Sequence, residues 1–208
     1  MQKFFIFFLS FLIPSCFAEN GIITFYSNTN NACQFDDSLY SDFLKVAISG
    51  SNWDNSRACG TCLTINGNGS GIGTTPFVNF YNAIVVNLCS ECENHHYDLL
   101  LDGNGIWDMS YNIIPCDNLG EIQYRINSNN PYYFRLQVIN TKTPVINLNV
   151  NGQPCEKTFD NFWVLNQVLT YPVTVHFELR DGTSFNGQVY ENFDFVPFVH
   201  QNSNLRVR

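Results

Sequence analysis

Along most of the chain, apolar and polar residues alternate at the period of a strand, and no amphipathic helix pattern competes. In the second half Phe134, Leu136 and Val138 alternate with Arg135 and Gln137. Ile146, Leu148 and Val150 alternate with Asn147 and Asn149 and run into Asn151-Gly152, a strong two-residue hairpin signal. Val173, Val175, Phe177 and Leu179 repeat the pattern and end at Asp181-Gly182. Period two with such turns predicts a small β-sandwich. The first half carries shorter β-prone runs at 22–26, 63–65, 84–88, 97–101 and 111–114, separated by Gly- and Asn-rich stretches, which predicts an all-β domain. The clearest of those stretches, residues 66–73, lacks the Gly-Lys-Ser/Thr ending of a phosphate loop and reads as a flexible hairpin loop. It contains the glycosylation sequon Asn68-Gly-Ser70.

The alternation is preceded by a different grammar. Lys3, an apolar run over 4–13 broken by Ser10, and small residues up to Ala18 have the order of a secretory signal peptide at 1–18. The run is too short to cross about 30 Å of hydrocarbon, so a secreted, extracellular protein with no membrane partner is expected. Composition agrees with a folded chain: 45% of residues are hydrophobic and 15% aromatic. Only 13% are charged, and 28 asparagines carry much of the polarity. The net charge of −8 argues against nucleic acid as a partner.

Cysteine usage divides the chain. After Cys16 leaves with the leader, Cys33, Cys59, Cys62, Cys89, Cys92 and Cys116 precede residue 117, and Cys155 stands alone after it. Three disulfides in the first half and one free thiol in the second are expected in an oxidising compartment. The pairs at 59/62 and 89/92, with His95 and His96 beside the second, superficially resemble a zinc site, but their separation is long for a zinc ribbon. No metal or cofactor is implied. The change in cysteine density and the turn-like 117–120 segment place a domain boundary, giving 19–118 and 119–208.

Several short motifs occur in one order: Gly21-Ile-Ile-Thr-Phe-Tyr26, Cys59-Gly-Thr-Cys62, Val86-Asn-Leu-Cys-Ser-Glu-Cys92, His96-Tyr-Asp-Leu99 and Pro115-Cys116. Together they resemble the first domain of expansins, and the segment from Tyr132 to Val145 resembles the expansin carbohydrate-binding domain. The resemblance implies a double-psi β-barrel followed by an immunoglobulin-like sandwich. It implies a monomeric protein that binds cellulose or a related β-glucan and loosens wall contacts without hydrolysis. By the same resemblance Cys33 pairs with Cys59, Cys62 with Cys116 and Cys89 with Cys92.

The resemblance also assigns roles. Asp98 matches the family's key carboxylate, which can hydrogen-bond a glucan chain, and Thr24 matches the family's Thr near it, which orients either that carboxylate or a sugar. His96 is expected to be structural and His95 a solvated neighbour. Asn87 stands where most relatives carry Asp; an amide hydrogen-bonds a sugar but transfers no proton. Inverting hydrolysis needs two carboxylates, and the formal alternatives Glu91 and Asp102 have no motif behind them, so a hydrolase is disfavoured. A pure binding or matrix protein is the second expectation. Between Asp98 and Cys116 the chain is shorter than the family norm, as if a short helix were missing. Tyr132 and Tyr133 match paired aromatics of a flat binding face, with Pro131 allowing the backbone irregularity that both would need. Phe159 is the candidate third ring, while Phe162 and Trp163 read equally well as core. Without rows of Lys or Arg, such a face binds by stacking.

Overall fold

The computed structural model describes residues 18–29, 31–36, 38–127 and 132–190, together with the backbone of 196–197 and 199–200. Six strands close into a barrel: β1 (Glu19–Tyr26), β2 (Leu44–Ser49), β3 (Cys62–Ile72), β4 (Phe80–Cys89), β5 (His96–Leu100) and β6 (Ile106–Ile114). Their order around the barrel is β1-β5-β2-β4-β3-β6, with β1 parallel to β5 and β2 parallel to β4. Alternation fills the interior with Ile23, Val46, Ile48, Leu63, Ile65, Leu99, Trp107 and Met109, all buried. Strand β2 and the one-turn α1 (Gly50–Trp53) are additions to the sequence reading.

The Gly-rich run is not a flexible loop. It continues β3, pairing Gly71 and Ile72 with Trp107 and Ile106 of β6. A Cβ on Gly67 would overlap the Phe77 ring, and one on Gly71 would overlap the Ile106 carbonyl, so these glycines let the strand lie flat against its neighbours.

Ten shorter strands form two sheets. One has the order β11-β12-β8-β7-β15, from β7 (Gln123–Ile126), β8 (Phe134–Ile139), β11 (Glu156–Lys157), β12 (Trp163–Leu165) and β15 (Val196–Pro197). The other has the order β10-β9-β13-β14-β16, from β9 (Val145–Val150), β10 (Gln153–Pro154), β13 (Val173–Leu179), β14 (Ser184–Val189) and β16 (Val199–His200). They enclose one core: Tyr124, Ile126, Phe134, Leu136 and Trp163 meet Leu148, Val150, Val175, Phe177 and Val189. The Asn151-Gly152 turn joins β9 to β10, with both residues at positive φ (49° and 78°). Ile146 departs from its expected inward place. A register shift beside Leu179 gives the core position to Val145 and leaves Ile146 half-buried.

Disulfides join Cys33 to Cys59, Cys62 to Cys116 and Cys89 to Cys92, the pairs the resemblance implies, and Cys155 is free. Thiolate zinc ligation at these cysteines is thereby removed. The Cys33–Cys59 bridge ties together two barrel segments, 31–36 and 54–60, that dock on the sandwich. Gln137 Nε2 donates to the Cys33 carbonyl at 2.8 Å and Arg125 donates to the Gln34 carbonyl at 2.6 Å. The fully buried Ser56 donates to the Thr158 carbonyl at 2.7 Å and accepts the Asn161 N–H at 3.1 Å. Asn55 and Arg57 donate to the carbonyls of Lys157 and Ile146. Bonds from several strands fix the orientation of barrel and sandwich.

Candidate functional site

Registers across four barrel strands bring the sequence-selected residues into one row. Thr24 of β1 is opposite Asp98 of β5, Asp98 is opposite Ala47 of β2, and Ala47 is opposite Asn87 of β4. The row lies on the outside of the barrel, because Ile23, Val46 and Leu99 beside it point inward. Asn87 reaches that face through an irregularity. Val46 pairs with Val85 but Ala47 pairs with Asn87, so Val86 is an extra residue, and the bulge turns the amide outward where strict alternation from Val85 would turn it in.

The polar groups are ordered. Thr24 Oγ1 donates to Asp98 Oδ1 at 2.6 Å and lies 2.8 Å from His96 Nε2. A hydroxyl has one proton; with that proton on Asp98, the His96 Nε2–H is the donor to Thr24. The relay His96 to Thr24 to Asp98 leaves Asp98 Oδ2 for a ligand hydroxyl. Asp98 is half-buried, as are Thr24, His96 and Asn87.

At the other end of the row the Asn87 amide is occupied by the protein. Its Oδ1 accepts the Ala32 N–H at 2.9 Å, and the side chain is also hydrogen-bonded to the Tyr26 hydroxyl. Burial, opposed by the Asn87 bond and reinforced by the negative Asp98, pushes the Tyr26 hydroxyl up to about 12. Tyr26 thus remains a neutral donor and acceptor beside both polar ends of the row. Tyr26 belongs to the Gly21–Tyr26 motif without an expected role; its place in β1 two residues after Thr24, on the same face, is the signal that finds it. Ala47, the small residue at the centre, is covered by the Cys89–Cys92 bridge and Tyr26.

The remaining titratable candidates lie around this row. Glu91 sits fully exposed in the turn between Cys89 and Cys92. Its own backbone and the Ser90 hydroxyl hold its carboxyl below the usual range, helped by nearby His96. Asp102 is exposed in the tight 101–105 connection between β5 and β6, where the sequence reading inferred a missing helix. His95 is a partly solvated neighbour, its side chain 44% exposed, and it is also engaged: its Nδ1 is 2.7 Å from the Tyr111 hydroxyl, which donates to Glu19 at 2.6 Å.

On the sandwich, Tyr132 is 69% exposed and Phe159 56%, while Tyr133 is half-buried. Pro131 lies outside the described residues. Phe159 leans on Trp53 of the barrel, ring centroids 5.8 Å apart. Trp163 belongs to the sandwich core, and Phe162 is buried beneath Arg135, whose guanidinium lies 3.7 Å from its ring centre and pairs with Asp160. Arg125 and Arg135 are engaged with Phe162, Asp160 and the barrel's Gln34 carbonyl, so their charge is partly neutralised in place.

No protein-family model matches this sequence, and no curated protein matches it. Solved structures do. An expansin from Clavibacter michiganensis without ligand is 23% identical, with 87% of this chain and 93% of that one covered and a TM-score of 0.69. An aspartate-to-asparagine mutant of the Clavibacter michiganensis expansin in complex with cellohexaose is 20% identical, with 90% and 97% covered and a TM-score of 0.70. Barrel and sandwich together follow those structures over nearly their full length, and the fold of this chain is expansin-like.

Proposed function

We propose that this chain is a secreted, monomeric expansin-like protein. It binds cellulose or a related β-glucan along one face and loosens polysaccharide contacts without cutting them. In this reading residues 1–18 are the leader, 19–118 a double-psi barrel and 119–208 an immunoglobulin-like carbohydrate-binding domain. The observation that carries it is the ordered relay from His96 through Thr24 to Asp98 on the outside of the barrel. A half-buried carboxylate with one oxygen held and one open suits hydrogen bonding to sugar hydroxyls on an extended chain. The exposed Tyr132 and Phe159, with Tyr133, supply rings that stack on the C–H faces of glucose units. The similar Clavibacter structure in complex with cellohexaose supports the same ligand class.

The test is creep of a clamped cellulosic wall strip in mildly acidic buffer, with soluble reducing sugar measured alongside. Extension without sugar release, lost in Asp98→Ala while cellulose binding persists, is the expected result. Sugar release abolished by the same substitution would replace this reading with a hydrolase. A second reading, a matrix protein that binds without loosening, is favoured by one observation: the Asn87 amide carries no charge and is occupied by Ala32 and Tyr26. No extension by folded, cellulose-binding protein would establish it.

A further inference from the structure

The strand β3 carries a feature that polysaccharide binding does not use. Between the pairs Gly67 with Met109 and Gly71 with Trp107, residues 68–70 of β3 stand against the single residue Asp108 of β6. This bulge is the sequon itself, Asn68-Gly69-Ser70. Asn68 is exposed, and its Oδ1 accepts the Ser70 N–H at 2.8 Å, so the oxygen is the end of the amide held by the bulge. Nδ2, the atom a glycan would occupy, takes no part in that bond.

Across the hairpin lies uncovered apolar surface. Asn66 pairs with Phe80, and the backbone bonds from Gly67 to Asn79 and from Gly69 to Phe77 continue that ladder, placing Val78 opposite Asn68. Side chains of directly opposite residues share a face. Phe80 is 62% exposed and Val78 63%, in a hairpin whose other face buries Phe77 at 4%. Ile72 and Ile106, the next pair along β3 and β6, are also exposed. Opposite side chains in a sheet are about 5 Å apart, within reach of the first sugar on Asn68.

We propose that Asn68 is N-glycosylated and that the innermost sugars of this glycan form the cover over Val78 and Phe80. The proposal rests on the secretion reading above. In the transfer, Asn68 Nδ2 attacks C1 of the first N-acetylglucosamine of a lipid-pyrophosphate-linked oligosaccharide. The Nδ2–C1 bond forms, the C1–O bond to the pyrophosphate breaks, Nδ2 loses one proton and the lipid pyrophosphate departs. The C–H face of a pyranose then packs on the Phe80 ring as sugars pack on aromatics elsewhere. The strand β3 lies directly across the barrel from β5, which carries Asp98, and on β4 Phe80 lies at the opposite end of the strand from Asn87, so the glycan leaves the proposed polysaccharide face open.

The full chain secreted from a eukaryotic host is the test, by peptide mass mapping and by thermal unfolding before and after enzymatic removal of N-glycans. Occupancy at Asn68 and a fall in Tm of about 2–4 °C on deglycosylation are expected, with a rise in binding of a hydrophobic dye. The glycan dependence of Tm and dye binding should vanish in Val78→Ser/Phe80→Ser, while cellulose binding is unchanged in every form. An unoccupied Asn68 in secreted protein overturns the proposal. So does a glycan whose removal has the same effect with and without Val78 and Phe80. Loss of cellulose binding on deglycosylation would also overturn it, by placing this surface in the polysaccharide site, whereas failure of creep alone bears only on the loosening reading.

Discussion

Asn87 in the barrel and Gln137 in the sandwich hold consecutive residues of one segment: Asn87 Oδ1 takes the Ala32 N–H at 2.9 Å, and Gln137 Nε2 donates to the Cys33 carbonyl at 2.8 Å. The residue at which the chain departs from its resemblance therefore also holds, from the barrel side, the segment that Gln137 binds from the sandwich side. An amide at this position is held by the protein's architecture as well as lying on the outer row with Asp98.

Removing either anchor should loosen the joint. Asn87→Ala and Gln137→Ala are each expected to cost about 1–2 kcal/mol in denaturant unfolding. Together they should cost less than the sum, because the second substitution acts on a segment already released. Asn87→Asp keeps an acceptor for the Ala32 N–H and should stay within about 1 kcal/mol of the parent.

Thr24→Val preserves shape and removes the hydroxyl between His96 and Asp98. The carboxylate then loses its fixed orientation, and affinity for cellohexaose should fall roughly tenfold in calorimetry, with the fold intact by circular dichroism.

Lys157 gives the joint a pH dependence. Its ammonium packs 4.9 Å from the Trp163 ring centre and donates to Asn161 Oδ1 at 2.6 Å. Burial chiefly, with the positive Arg57 adding and Asp160 opposing, depresses it from 10.5 to about 7. The unfolded chain binds this proton below 10.5 and the folded chain only below about 7, so its contribution to stability rises with pH between those values. Below about 7 the full cost is present. Lys157→Met should stabilise the protein most at or below neutral pH, with an advantage that shrinks toward pH 10, measured as Tm against pH.

Cys155 is expected to be inert in the folded state. It packs against the sandwich core, and burial, partly offset by a backbone bond from Val150, raises its thiol to about 12. Iodoacetamide at pH 8 should label it slowly in native protein and rapidly in denaturant. Fast native labelling, or a disulfide-linked dimer on a non-reducing gel, would contradict this.

How much of this was legible in the sequence depends on whether strict alternation holds. It does from Val173 to Leu179, where every second residue is fully buried, and at Asn151-Gly152, whose positive φ values the dipeptide announces. Alternation also places Thr24 and Asp98 on outer faces of their strands. It fails at Val85-Val86-Asn87 and at Ile146, where bulges shift the faces, and nothing in a run of valines marks which one is extra. Residues 66–73 misled for a different reason: their glycines signalled looseness, whereas they are needed for close approach to Phe77 and the β6 backbone. The parallel neighbours β1–β5 and β2–β4 are also invisible locally, because their partners are set by topology.

That topology governs when the barrel can exist at all. Its first strand borders only β5 and β6, with Ile22 opposite His96 and Glu19 opposite Tyr111, so no early hairpin can recruit it. During synthesis the leading strand must wait unpaired until the last two strands of the barrel have emerged, a high-contact-order closure that is inherently slow. An exposed apolar strand in that interval is open to off-pathway association. The strands of the sandwich emerge only after all six strands of the barrel, so the docking of 31–36 and 54–60 has no surface to meet until synthesis is nearly complete.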